Sequence, residues 1–364
     1  MNILSRTQYR VKNVFFAPVF AALLLISGPV LAATGEPATL TFLTWGDYID
    51  EDVVAEFEAE YNAQVKFAYY ESDAARDEML TTSNAEGFDL IMVDSVTKSF
   101  HHQLGWVTEF DTQQAPNITQ ARLPELSGLE ARDDLCTPYA WGTTGIAYRT
   151  DLVSEPITRW QQLYQPAPEL EGRILMSDME EEIIGMALKS LGYSMNSDDP
   201  QQLEQVRQLL LAQAPAVAGY SAVAVETEKS KLVSGEVSAI LTYSGDALML
   251  REVEPRIKYV LPEEGGVVWA DFICLAAKAS NPELAHHFVD FLNRPAQAAK
   301  NALYINNATP NQAAQALLPA SFLNDPLVYP DQAILAKSET HQILSPRLIK
   351  RHKRIMRDIT RAHH

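Results

Sequence analysis

Only two cysteines, Cys136 and Cys274, occur in the 364 residues of this chain. That excludes a disulfide-dense scaffold, and without a C-x-x-C spacing the pair is a poor metal site. Two roles remain: one disulfide in an oxidising compartment, or two buried thiols packed as small apolar groups. Catalytic signatures are also missing. The chain has no G-x-S-x-G elbow, no glycine-rich phosphate loop and no H-E-x-x-H, so it offers no cofactor site or catalytic residue of those kinds. Two of the adjacent histidine pairs lie inside the chain, His101-His102 and His286-His287. Helix neighbours point about 100° apart, so neither pair makes a two-ligand metal face. Positive charge is scarce: 29 Lys and Arg stand against 47 Asp and Glu, a formal net charge of −18. A body this acidic repels nucleic acid and attracts cations. Internal repeats and low-complexity stretches are absent.

What is present begins with an export signal. Arg6, Arg10 and Lys12 precede a largely apolar run from Val14 to Val30, and Val30-Leu31-Ala32 offers a cleavage site before Ala33. This layout predicts a signal peptide over 1–32. An uncleaved anchor is the competing reading, since the run has about the length of a spanning helix. Pro18, Pro29 and the Val-x-Ala ending oppose it, and the absence of a Cys at the cut opposes lipid anchoring. Losing three cations with that segment takes the formal charge from −18 to −21. The 332 residues left exceed what one compact core usually holds, so two lobes are expected.

Apolar periodicity predicts strand 39–44, helix 51–61 with Val54, Phe57 and Tyr61 on one face, strand 64–70, and a short apolar strand 89–93. Strands alternating with helices at this spacing predict a parallel sheet covered on both faces, with ligands at the carboxyl ends of its strands. Trp45-Gly46-Asp47-Tyr48 follows the first strand, and Asp94-Ser95 follows a later one. After Tyr139-Ala140-Trp141-Gly142 the pattern resumes. It gives strand 173–176, helix 178–191, helix 201–211 burying Leu203, Val206, Leu209 and Leu210, and strand 238–242. The last third of the tail 333–364 is basic. It reads as a solvated helix packing Ile349, Met356 and Ile359 inward, or as a docking surface for anionic lipid or a membrane partner.

Two clusters set an aromatic face beside a carboxylate: Trp269-Ala270-Asp271, just after Gly265-Gly266, and Trp45-Gly46-Asp47-Tyr48. That combination suits an elongated organic cation, with anions for its ammonium ends and aromatic walls for its methylene stem. Asp178, Glu180, Glu181 and Glu182 form an acidic run at a helix start. Ser177 and Glu180 fit a capping box that explains Glu180 and Glu181 better than Glu182, which either faces a cleft or is one more first-turn acid. Tyr243, near a predicted strand end, is a further cleft-wall candidate.

Taken together, these residues resemble the periplasmic spermidine/putrescine-binding proteins of polyamine importers, from Leu40 to about Gln342. The anchors are Trp45-Gly46-Asp47-Tyr48, Tyr70-Glu71-Ser72, Pro138-Tyr139-Ala140-Trp141-Gly142, Gly265-Gly266-Val267-Val268-Trp269-Ala270-Asp271, Thr309-Pro310-Asn311 and Tyr329-Pro330-Asp331. The resemblance implies a two-lobed α/β periplasmic binding protein fold of type II, each lobe a mainly parallel sheet flanked by helices, closing about a hinge. Residues 34–142 with 271–316 would form one lobe, and 143–270 with 317–364 the other. Cys136 and Cys274 would then be neighbours at the hinge. Carried over residue by residue, Trp269 stacks on the ligand, Asp271 grips an amine, and Asp47 with Trp45 and Tyr48 lines the first cluster. Glu182 is the second-lobe acid, and Tyr243 stands where the family usually has tryptophan. Met179 replaces an aspartate, Val96 and Asn307 replace tyrosines, Asp94 replaces a serine beside Ser95, and a terminal glutamine is Gln342 or is lost to His341. The implied partner is an inner-membrane ABC permease. Periplasmic norspermidine sensors, which dock on transmembrane GGDEF/EAL receptors controlling cyclic-di-GMP and biofilm formation, are the second reading. An exported polyamine-acting enzyme is the third.

Overall fold

A computed structural model describes residues 36–125, 135–221 and 229–363; the segment 1–32, read above as a signal peptide, lies outside them. Ten strands build one sheet: β1 (Ala38–Thr44), β2 (Ala63–Tyr69), β3 (Leu90–Asp94), β4 (Val107–Thr108), β5 (Cys136–Arg149), β6 (Ile174–Met176), β7 (Gly219–Tyr220), β8 (Ala239–Tyr243), β9 (Ile257–Val260) and β10 (Val267–Ala276). Across the sheet they run β2-β1-β3-β10-β5-β8-β6-β7, with β4 pairing β10 and β9 pairing β5.

Two parallel groups, β2-β1-β3 and β8-β6-β7, form through strand–helix–strand connections, as the spacing predicts. Between them lie the long strands β5 and β10. They are antiparallel to each other and to the strands on their outer sides. Their shared ladder runs from Val267 opposite Thr144 to Cys274 opposite Cys136, where the two cysteines form a disulfide with Cα atoms 4.5 Å apart.

Each half has its own core. Leu40 and Phe42 of β1 pack with Val53 and Phe57 of the helix Glu51–Tyr61 and with Phe288 and Phe291 of the helix Pro282–Leu292. Phe57 meets both phenylalanines edge-on, at 4.7 and 5.5 Å between ring centroids. In the other half, Ile174, Ile183, Ile184, Leu203, Val206 and Leu210 close around the fully buried Trp160.

Local chemistry sets the helix ends. The Asp50 carboxylate accepts from Asp52 N–H, and Asn62, with φ 47°, ends that helix in the left-handed region. The expected capping box at Ser177 does not form. Ser177 Oγ instead accepts from Met179 N–H at 3.1 Å. The turn this makes delays the helix to Glu180–Ser190 and puts Glu180, Glu181 and Glu182 in its first turn.

The basic tail is the helix Pro346–His363, and its buried face is Leu348, His352, Ile355 and Ile359. That stripe displaces two of the three expected inward residues: Ile349 and Met356 are only half-buried. One histidine of each internal adjacent pair is held inside the fold. His101 Nε2 lies 3.0 Å from Asp77 Oδ1, and His286 Nε2 accepts the Asp111 N–H at 3.0 Å.

The Cys136–Cys274 bond closes a loop of 138 residues in sequence, so most of its effect falls on the unfolded chain. Replacing both cysteines by serine is expected to lower unfolding free energy by about 2–4 kcal/mol, read from urea denaturation. A change below about 0.5 kcal/mol would show that the cross-link does not restrain the unfolded ensemble.

Candidate functional site

Trp269 and Asp271 are two residues apart on β10 and therefore share a face of the sheet. The indole sits close against Gly142, its register partner on β5. A Cβ at Gly142 would come within 2.4 Å of Trp269 Cζ2, so a glycine is needed for the ring to sit there. Tyr243, the last residue of β8, meets the indole edge-on with centroids 6.1 Å apart. Its hydroxyl lies 3.2 Å from Met179 Sδ. Trp269 Nε1 is buried and has no hydrogen-bond partner among the described residues.

Asp271 accepts the Tyr48 hydroxyl proton at 2.7 Å. Tyr139 in turn donates to the Tyr48 carbonyl at 2.7 Å and holds that turn in place. Burial pushes the Asp271 carboxyl up to about 7. The Tyr48 hydrogen bond opposes the rise, the charges of Asp94 and Asp73 add to it, and Arg76 relieves it. Asp94 ends β3 directly opposite Asp271 in the ladder. Its Oδ1 accepts from Val96 N–H at 2.7 Å and Thr97 N–H at 2.9 Å, and its Oδ2 accepts from the Thr97 hydroxyl and from Arg76 Nη1. Ser95 donates its N–H to the Ala270 carbonyl, and its hydroxyl lies 3.5 Å from Thr340 Oγ1. Trp45 packs on Tyr70 with centroids 4.4 Å apart.

On the other side, Glu182 is buried at 3 % exposure. Its Oε1 accepts from Thr144 Oγ1 at 3.3 Å and lies 3.5 Å from His341 Nε2. Its Oε2 is buried without a partner among the described residues. Burial alone would depress His341, but the bond to Glu182 and the charges of Glu182, Glu181 and Asp94 outweigh it and raise the imidazole above its ordinary range. His341 is positioned because Glu339 lies beside β10 as an added bridge: Val268 donates to the Glu339 carbonyl and Glu339 to that of Gly266.

The structure thus gathers Tyr48, Asp94, Trp269, Asp271, Tyr243 and Glu182 around the middle of the sheet. Burial raises the Tyr243 hydroxyl well above its usual range, and carboxylates of both halves add to that, Glu182 and Asp246 from one and Asp73 and Asp271 from the other. Asp47 stands apart, exposed on the turn after β1 at φ 53°. Sequence reasoning overlooked Arg76, Asp73 and Thr144. Their only sequence signal is the i, i+3 spacing of Asp73 and Arg76, which usually marks a surface pair.

Strand ends and helix starts that converge on a buried aromatic and carboxylate cluster between two half-sheets define a two-lobed solute-binding protein. The model of the bacterial extracellular solute-binding protein family matches residues 52–330. The chain belongs to that family, which is one of binders and not of enzymes. It is 30% identical over 324 residues to the spermidine/putrescine-binding periplasmic protein of Salmonella typhimurium strain LT2, covering 88% of this chain and 91% of that one. Its fold matches the spermidine/putrescine ABC transporter substrate-binding protein of Streptococcus pneumoniae, with a TM-score of 0.81 at 26% identity, over 90% of this chain and 100% of that one. A spermidine/putrescine ABC transporter protein of Listeria monocytogenes follows at a TM-score of 0.75 and 29% identity, over 88% and 98%. No helix among the described residues is long and apolar enough to cross a membrane.

A carboxyl held near 7 in the fold, against about 3.9 when unfolded, favours the folded state below pH 4. That contribution is lost as pH rises through 7. Ligand-free Asp271→Asn is therefore expected to be more stable than wild type at pH 8, on the order of 1–3 kcal/mol, with the gap closing by pH 4. Thermal unfolding across that range checks it; equal stability at pH 8 would contradict the burial argument.

Proposed function

We propose that the protein captures a linear polyamine of the spermidine, norspermidine and putrescine class in the periplasm. It closes on the ligand and presents it to an inner-membrane ABC permease. The observation that carries this reading is the pairing of Trp269 with two buried, incompletely compensated carboxylates, Asp271 and Glu182. Asp271 has no ion pair among the described residues and one Glu182 oxygen has no donor; a buried carboxylate left so is costly, and an ammonium group offsets that cost. The indole face between them accepts a methylene stem or an adjacent cation. Tyr48, Tyr243, Trp45 and Ser95 would complete the wall, and Asp47, exposed on the turn after β1, would meet the ligand only from outside the cluster. The names of the relatives support the same ligand class. Residues 1–32 would act as the export signal. The lobes would divide at 34–142 with 271–316 against 143–270 with 317–364, with Cys136 and Cys274 at the hinge.

One observation favours a signalling partner over a permease. The helix Pro346–His363 exposes Arg347, Lys350, Lys353, Arg354, Arg357 and Arg361 on an otherwise acidic body, a surface suited to a receptor with an acidic periplasmic face. Replacing these six by glutamine separates the two: uptake with intact kinetics would leave the importer reading standing.

Calorimetric titration of the ligand-stripped protein with putrescine, norspermidine, spermidine and spermine tests the central claim. One-to-one binding is expected to weaken as salt rises, and Trp269→Ala is expected to weaken it at least about tenfold. Wild-type affinity in that variant would remove the indole from the site.

A further inference from the structure

Asp94 looks like a ligand carboxylate by position, yet its acceptor capacity is spent within the chain. An ionised carboxylate offers about four lone-pair directions, and Asp94 receives Val96 N–H, Thr97 N–H, the Thr97 hydroxyl and Arg76 Nη1. Arg76 is fully buried, although it carries a permanent charge. Its Nη1 bonds Asp73 at 2.6 Å, its Nε bonds Asp77 at 3.0 Å, and its Nη2 donates to Thr97 at 3.1 Å. The guanidinium carbon lies 5.7 Å from the ring centroid of Tyr70, the ring on which Trp45 packs. Carboxylates and an aromatic face around a cation are what a polyamine end would seek; here the cation belongs to the protein.

Asp271 differs. It faces Asp94 in the ladder, has the Tyr48 hydroxyl as its partner, and forms no salt bridge among the described residues. We infer that Arg76 is a specificity residue: by taking up Asp94, it leaves Asp271 as the carboxylate that grips an ammonium at this end of the cleft, and it disfavours ligands that bring further positive charge there. This rests on the polyamine reading of the cleft. The selected ligand class is short, low-charge amines over tetra-amines.

The test is a double-mutant cycle on the ratio of putrescine to spermine dissociation constants, measured by calorimetry at one salt concentration. Arg76→Met removes the cation beside Asp94, which keeps its Val96 and Thr97 donors but loses its charged partner, so the ratio is expected to move about tenfold toward spermine. Asp94→Ser removes one anion from beside Asp271 and leaves the guanidinium with Asp73 and Asp77, so the ratio should move the opposite way. The pair of substitutions together should return it to within about threefold of wild type. If Arg76→Met does not fold, as thermal unfolding would show, Asp94→Ser and the double variant carry the test. Ratios within twofold of wild type in the folded single variants would overturn the inference and leave the binding reading intact. A shift toward spermine in the double variant as large as in Arg76→Met would overturn it in favour of mere bulk. Wild-type protein that binds no polyamine would overturn both.

Discussion

The antiparallel ladder between β5 and β10 is the constraint on which the rest depends. It joins two parallel groups into one sheet, and it sets which side chains reach the cleft. A slip of one residue would turn Trp269 and Asp271 to the opposite face. It would also set the indole opposite Trp141 or Thr143, where a side chain occupies the space that Gly142 leaves open. At the far end of the same ladder the Cys136–Cys274 bond joins directly opposed residues. The register shifts by one between Asp271 and Phe272, so the disulfide pins the ladder on its own side of that irregularity, while the close fit of Trp269 on Gly142 pins it on the other.

Buried charge is the second organising theme, and the molecule treats its carboxylates unequally. Asp94 is saturated by backbone, hydroxyl and guanidinium donors. Glu182 shares one oxygen with Thr144 and His341 and keeps the other without a donor. Asp271 has one phenolic donor and a carboxyl held near neutrality by burial. A carboxylate whose acceptors are filled by the fold contributes little to holding a ligand, whereas one left under-compensated gains most from an arriving cation. Position in the cleft is thus a weaker guide to binding than the state of each acceptor.

That distinction also explains what the sequence could and could not disclose. Trp269 and Asp271 were readable because the information is local: an aromatic and an acid stand two residues apart just after Gly265-Gly266. The helix 51–61 was readable from its periodicity, and the structure adds Asp50 and Asn62 as its caps. Arg76 was not. Its spacing from Asp73 is that of an ordinary surface pair, and its burial depends on Asp94 and Thr97 arriving from another strand end. The relation of His341 to Glu182 spans the whole second half of the chain. The capping box failed for a local reason that spacing does not encode, since Ser177 had a nearer donor in Met179 N–H.

The same charge distribution gives closure a reason to depend on ligand. Acids of both halves act on the Tyr243 hydroxyl, and Asp94 of one half acts on His341 of the other. Bringing the halves together without a cation therefore concentrates like charge in a region that water is leaving, and the interaction strengthens as the local dielectric falls. His341 and Arg76 reduce that repulsion but are fewer than the acids they face. An ammonium bound between the halves removes the remaining penalty in the closed arrangement and gains little in an open one, where solvent already screens the carboxylates. Differential affinity of this kind is the only means by which a ligand can shift a conformational equilibrium. On the proposed reading of the site, the incompletely paired carboxylates weaken the ligand-free closed form and for the same reason couple its population to the ligand.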